Sequence, residues 1–398
     1  MRVLFFVAEY HRFSGAQISL LHLIKHLELE GIECIALFPG EGSCVERYRE
    51  ADIAVEVMSP NEKLNQFGAH ALNRSLLNQL FTFGPSINRY SFAVARMMRK
   101  REIDLLHCNT LRAVLLSAFW PRLWGYPVIW HVRGLLPMTR ALVDLGARLS
   151  SAIITVADGL RDEFESKARA KCTTVYDAVH IEDVDRLTSV SDQDLQTIPT
   201  EQPVVATMAA IAPFKGLHHL VEAARLVSSG RKSKPLFLIL GGVYDQDYAT
   251  YLLKLVDSYE LNNVRFIGWK HNPFPYYKRA QIVVLPTVRN EQLKINGVSK
   301  SVIGREGLPF SILEAMASST AVVSTDVAGL PEQIVEGETG FVVKQGSPQQ
   351  LADAIATLLE DPQRAIQMGQ NGRAHVQKNF SCSLLVQKTM QVFERLTG

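Results

Sequence analysis

Short apolar runs, each closed by a polar or glycine turn and followed by an apolar stripe at helical spacing, recur along the whole chain. The first run is residues 2–8, and after the turn at Ser14-Gly15-Ala16-Gln17 the residues Ile18, Leu20, Leu21, Leu23, Ile24 and Leu27 mark one helix face as far as Gly31. Further runs follow at 32–38, 53–58, 128–132 and 152–156, and the rhythm resumes at 204–210, 236–240, 264–268, 282–285 and 322–325. Runs that are apolar on both faces and alternate with helices predict an α/β chain with a parallel, doubly wound sheet and right-handed crossovers. At 398 residues there is material for two such domains, each with its own core. The stretch 181–202 is rich in Ser, Thr, Asp and Gln and ends before Pro203, which predicts a linker between a first domain at 1–180 and a second at 203–375.

The totals narrow the function classes. A net charge of +2 implies no nucleic-acid partner. Cys34, Cys44, Cys108, Cys172 and Cys382 are odd in number and include no Cys-x-x-Cys pair, so they are expected as buried, reduced thiols. The apolar core at Leu4-Phe5-Phe6-Val7 is too short for a signal peptide, and no run reaches the length of a membrane span. These features are read as a cytoplasmic location. Between Lys63 and Arg101 there is no acidic residue, and Lys63, Arg74, Arg89, Arg96, Arg99, Lys100 and Arg101 are interleaved with Leu and Phe. That pattern suits either an anionic membrane surface, on the inner face of the membrane, or a solvated basic helix face.

The stretch most charged with chemistry is Gly304-Arg305-Glu306-Gly307-Leu308-Pro309-Phe310-Ser311-Ile312-Leu313-Glu314-Ala315-Met316. A buried strand precedes it, Pro309 fits the first position of a helix, and the apolar spacing beyond Pro309 is helical. Glu306 is then expected in the loop before the helix and Glu314 more than a turn inside it. The helix N-terminus offers N–H groups to an anion. Glu306 to Ala317 resembles the Glu-x7-Glu signature of the family 4 (group 1) retaining glycosyltransferases. The resemblance implies a GT-B fold: two Rossmann-like domains facing each other across a cleft, with a last helix, about 376–398, returning to the first domain. It also implies that Glu306 lies by the donor sugar, that Gly307, Leu308 and Pro309 line the donor, and that Glu314 binds the nucleotide ribose. Ser319 and Ala321 stand where the family has Gly and Pro, so the usual left-handed helix cap is expected to be missing.

Other segments extend the resemblance. Gly15 lies in the loop where the family approaches the donor phosphates. Ala209 to Gly216 is similar to the family's Gly-Arg-Leu-x-x-x-Lys-Gly loop, which implies Lys215 and Gly216 at the donor diphosphate; Ala210 replaces the family Arg and removes one cation. Gly268 matches a glycine near the base. His131 matches a strand-end His that faces the donor sugar, and Arg133 in the same loop is an acceptor-binding candidate. Val175-Tyr176-Asp177-Ala178-Val179 resembles the segment that closes the first domain. Residues 288–303 have no counterpart and read as a lid or a tolerated insertion beside the site. Asp245-Gln-Asp247 matches a metal-holding Asp-x-Asp only weakly, and a helix cap accounts for it better.

The resemblance implies a glycosyltransferase that moves a sugar from a nucleotide-sugar donor to a glycan or lipid-linked acceptor with retention, in polysaccharide or glycolipid synthesis, without cofactor or metal. Glu306, His131 and Lys215 would be its catalytic residues. Two alternatives are a nucleotide-sugar epimerase of the same fold, which would turn over donor without acceptor, and a non-catalytic nucleotide-sugar-binding subunit, which would release no nucleotide.

Overall fold

Parallel strands buried on both faces need helices above and below them, and both halves of the chain are built that way. The computed structural model describes all residues except 12–14, 62–63, 65–75, 137, 189–192 and 232. By its contacts the chain divides into a unit of Met1–Asp177 with Cys382–Gly398 and a unit of Ala178–Ser381.

The first unit holds β1 (Arg2–Phe6), β2 (Glu33–Phe38), β3 (Ala54–Val57), β4 (Leu105–Cys108), β5 (Val128–Val132), β6 (Ala152–Thr155) and β7 (Cys172–Thr174). They form one sheet in the order β3-β2-β1-β4-β5-β6-β7, parallel throughout. The helix Gly15–Leu29 follows β1 and buries Leu20, Leu23, Ile24 and Leu27. The C-terminal helix Cys382–Thr397 packs on it. The basic segment is described only in part. Lys63 and Arg74 lie outside the described residues. Within the helix Leu76–Lys100, Tyr90, Val94, Ala95 and Met98 face the core, while Arg89, Arg96, Arg99 and Lys100 are exposed.

The second unit holds β8 (Val204–Met208), β9 (Leu236–Leu240), β10 (Val264–Gly268), β11 (Ile282–Leu285), β12 (Asn290–Ile295), β13 (Val298–Ile303), β14 (Ala321–Thr325) and β15 (Gly340–Val343). Six of them form a parallel sheet in the order β10-β9-β8-β11-β14-β15. The order reverses between β8 and β11, and ligands in such sheets sit beyond the carboxyl ends at that switch point. The stretch expected as a linker carries the short helices Ile181–Thr188 and Gln193–Gln196 and belongs to this unit by contact.

Two expectations are corrected. Residues 288–303 are not an irregular loop: β12 and β13 pair antiparallel around a two-residue turn, with Asn296 at φ 50° and Gly297 at φ 83°. That is the positive-φ pair a primed hairpin turn demands. The helix Phe310–Ala317 does end in a left-handed residue. Ser319 takes φ 60°, its N–H donates to Met316 O, and the Thr320 N–H donates to Ala315 O. These are the two bonds of a Schellman cap, made at Ser without glycine's freedom. All five cysteines are among the described residues and are thiols outside any disulfide, with Cys172 half-buried and the others buried.

Candidate active site

The β8 loop brings the first functional side chain to the switch point. Ala212-Pro213-Phe214-Lys215 makes one 3-10 turn, and Gly216, at φ 65°, starts the helix Leu217–Ser228. A Cβ at Gly216 would lie 1.9 Å from the carbonyl oxygen of Pro286, just beyond β11. The loop is therefore pressed onto the end of β11, and Val288 N–H seals the contact by donating to Phe214 O at 2.9 Å. Only glycine meets both the backbone angle and the approach.

Glu306 reaches the same place from β11. The chain runs from β11 through the hairpin and returns at Gly304, whose N–H donates to Arg289 O. Glu306 Oε1 then lies 2.5 Å from Lys215 Nζ, with the two side chains 9% and 15% exposed. Among the described residues it is the one ion-pair partner of Lys215. Two residues 91 positions apart are thus joined at the carboxyl ends of adjacent strands, and in so enclosed a place the attraction between opposite charges is stronger than in water. Gly307, Leu308 and Pro309 are buried behind Glu306. Pro309 is the N-cap of the helix rather than its first residue; its carbonyl accepts from Gln333 Nε2 at 3.0 Å.

Glu314 lies in the second turn of that helix. Its Oε2 accepts a hydrogen bond from the Tyr277 hydroxyl at 2.8 Å. Burial raises its carboxyl pKa, and the Tyr277 bond works in the opposite direction. Gly268 ends β10 at φ 81°, and its carbonyl accepts from Gly241 N–H.

In the first unit Gly15 is the first residue of its helix. Arg133 follows β5 and is the polar residue at that strand's carboxyl end. Its Nε donates to Asn109 Oδ1 at 2.7 Å, and its Nη1 lies 2.9 Å from Asp177 Oδ1 and 3.0 Å from Ser19 Oγ. Its side chain is 8% exposed, and its Nη2 has no partner among the described residues. His131 does not sit as expected. It lies within β5 and is 0% exposed, with its Nδ1 3.3 Å from His107 Nε2. An enclosed ring has no surface with which to touch a sugar, so His131 is a core residue here and Arg133 takes the strand-end position. Burial holds both imidazoles neutral, with the charge of Arg133 adding to the effect: His107 is lowered to about 3 and His131 well below its ordinary value.

A further cluster was not anticipated. His218 and His219, just beyond Lys215-Gly216, both point at Glu291 on β12, with Nε2 to carboxylate distances of 3.1 and 3.0 Å. His218 Nδ1 lies 2.8 Å from the Tyr248 hydroxyl. Burial works to raise the Glu291 carboxyl, but the two imidazoles outweigh it and hold it down at about 2; burial also lowers His218. A His-His pair directly after a Lys-Gly helix start was the available signal. Asp245, by contrast, is a helix cap as expected: its Oδ1 accepts from Tyr248 N–H at 2.9 Å, and Asp247 pairs with Lys300.

Comparison with known proteins adds three findings. Residues 191–375 match the family "Glycosyl transferases group 1" and residues 13–183 match "Glycosyltransferase Family 4". The D-inositol 3-phosphate glycosyltransferase of Corynebacterium efficiens is 30% identical over 222 residues, 54% of this chain and 47% of that protein. A GDP-mannose-dependent monoacylated alpha-(1-6)-phosphatidylinositol monomannoside mannosyltransferase of Corynebacterium glutamicum is 24% identical over 347 residues, 82% of this chain and 86% of that one. Against several curated relatives the chain spans about half of their length. Among solved structures, Anabaena HepE in complex with UDP superposes with a TM-score of 0.78 at 19% identity, over 99% of this chain and 100% of that chain.

Proposed function

Since the chain belongs to the group 1 glycosyltransferases with the GT-B fold, we propose that it transfers a sugar, with retention of configuration, from a nucleotide-sugar donor to a glycan or lipid-linked acceptor in polysaccharide or glycolipid synthesis. The observation that carries this reading is the Lys215–Glu306 pair at the switch point of the second sheet. An ammonium seated there, beside the start of the helix Leu217–Ser228, suits a diphosphate. As the glycosidic bond breaks, the departing diphosphate gains charge, and Lys215 stabilises it in place. Glu306 holds Lys215 ready and, once the donor displaces it, stands beside the sugar. No carboxylate is assigned as a nucleophile, so the acceptor enters on the face from which the diphosphate leaves. Glu314, tethered by Tyr277, binds the ribose, and Arg133 binds the acceptor.

The relatives use different nucleotides by their descriptions, UDP in one case and GDP-mannose in another. A thermal-shift panel of UDP, GDP, ADP and their sugar conjugates tests the reading. One nucleotide series is expected to raise Tm, because a ligand that binds the folded state stabilises it by mass action. A flat panel contradicts donor binding altogether. Donor consumed without acceptor favours an epimerase, and donor bound without nucleotide release favours a binding subunit, the reading to which Ala210 lends weight.

Because Lys215 supplies the positive charge, the transfer chemistry needs no Mg²⁺ or Mn²⁺. Initial rates with and without either ion are expected to agree; a strict requirement for one contradicts this.

We also place the first unit against an anionic membrane. Exposed Arg89, Arg96, Arg99 and Lys100 lie on a helix that carries Phe92, 42% exposed and edge-on to Trp120 and Trp124. Phe119, Leu123 and Trp124 are exposed beside it. Aromatic rings at the headgroup level with basic residues around them fit such a surface, and each cation contributes about 1 kcal/mol near it. Co-sedimentation is expected with anionic but not neutral liposomes and to weaken with salt; equal binding to both removes the proposal.

A further inference from the structure

We propose that His218, His219 and Glu291 form a binding site for one divalent transition-metal ion of the Zn²⁺ class, separate from the groups that meet the donor. The inference rests on geometry within the second unit and does not depend on the glycosyltransferase reading.

Successive helix residues are turned about 100° apart and normally face different partners. His218 and His219 nonetheless converge on one carboxylate, with ring centroids 4.0 Å apart. The two imidazole nitrogens and the carboxylate oxygen lie within 4.8 Å of one another. A tetrahedral ion with bonds of 2.0–2.1 Å sets its ligands about 3.4 Å apart; His218 Nε2 lies 3.1 Å from one Glu291 oxygen and His219 Nε2 3.0 Å from the other, close to that spacing. His219 Nε2 is buried and lies 3.0 Å from Glu291 Oε1 without a well-directed hydrogen bond.

The donor set is two nitrogens and one carboxylate oxygen. That combination suits Zn²⁺, Co²⁺ or Ni²⁺, whereas Mg²⁺ and Ca²⁺ prefer oxygen alone. Three protein ligands leave a fourth position for water. Tyr248 completes the arrangement. Its hydroxyl lies 2.8 Å from His218 Nδ1 and accepts from His218 N–H. When Nε2 binds metal the proton sits on Nδ1 and donates to Tyr248, which fixes the ring as outer partners of metal-bound histidines do.

The location gives the ion a task. His218 is three residues beyond Lys215, and Glu291 lies on the hairpin whose second strand, β13, leads to Glu306. A bound ion joins the two segments that carry the Lys215–Glu306 pair without touching it, so the three ligands are positioning residues for that pair.

Co²⁺ is the probe, titrated into the full chain after chelator treatment and dialysis. One equivalent is expected to produce the visible d–d absorption of a four- or five-coordinate ion. Zn²⁺ is expected to abolish that band and to raise Tm, and Mg²⁺ to do neither. His219→Ala and Glu291→Gln are expected to lose both the band and the Tm shift, while Lys215→Ala keeps them. Absence of the band in wild-type protein whose circular dichroism shows it folded overturns the proposal. So does a band that survives both ligand substitutions.

Discussion

Lys215→Ala is expected to lower transfer by on the order of 10²–10³-fold, the usual cost of losing one electrostatic contact to a developing charge. The substitution removes the one ion-pair partner that Glu306 has among the described residues and leaves that carboxylate 9% exposed. The diphosphate is charged before reaction and gains charge as it leaves, so Lys215→Ala is expected both to raise KM and to lower kcat. Glu306→Gln keeps the volume and loses the charge. It is expected to lower kcat more than it raises KM, the pattern of a contact made chiefly in the transition state. Steady-state kinetics on both proteins, with Tm recorded alongside, checks the split; a pure KM effect in both means ground-state binding only.

Acid is expected to unfold the first unit through His107 and His131. Both imidazoles are buried neutral, with folded pKa values at about 3 and well below the ordinary 6.5, because burial and Arg133 oppose their charge. Below pH 6.5 the unfolded chain binds protons that the folded unit refuses, so stability falls as pH drops from 6.5 towards 3. Each imidazole contributes about 1.4 kcal/mol per pH unit in that window. From pH 6.5 to 4.5 His107 alone accounts for on the order of 2 kcal/mol, and His131 acts in the same direction. Three of the four tryptophans, Trp120, Trp124 and Trp130, lie in this unit, so their fluorescence follows its urea unfolding. His131→Leu is expected to make the slope of stability against pH shallower by up to one proton's worth, about 1.4 kcal/mol per pH unit. An unchanged slope would show that the imidazoles are not buried neutral.

The strands and helices were legible because a strand buried on both faces must be apolar along its length. The hairpin at 290–303 was not read as one, although Asn296-Gly297 between Leu293, Ile295 and Val298 carries the two-residue turn in plain form. The polar composition of that stretch masked its alternation. His131, expected at the strand end, lies inside β5 and is enclosed, while Arg133 stands just beyond it. A strand's last inward side chain and the first beyond its end look alike in sequence, and only burial tells His131 from Arg133. The Lys215–Glu306 pair joins loops after β8 and β11, which no local pattern reports; each residue was legible, their contact was not. His218, His219 and Glu291 were missed for the same reason, since the carboxylate arrives from a segment without family precedent.

The most direct measurement is acceptor-dependent release of nucleoside diphosphate from the nucleotide sugar that the thermal-shift panel selects. It is made on wild-type, Lys215→Ala and Glu306→Ala proteins that remain folded. Wild-type protein is expected to release nucleotide and glycosylate the acceptor in equal amounts, and both variants to fall by on the order of 10²-fold or more. Near wild-type rates in both variants would contradict a donor site built on the Lys215–Glu306 pair.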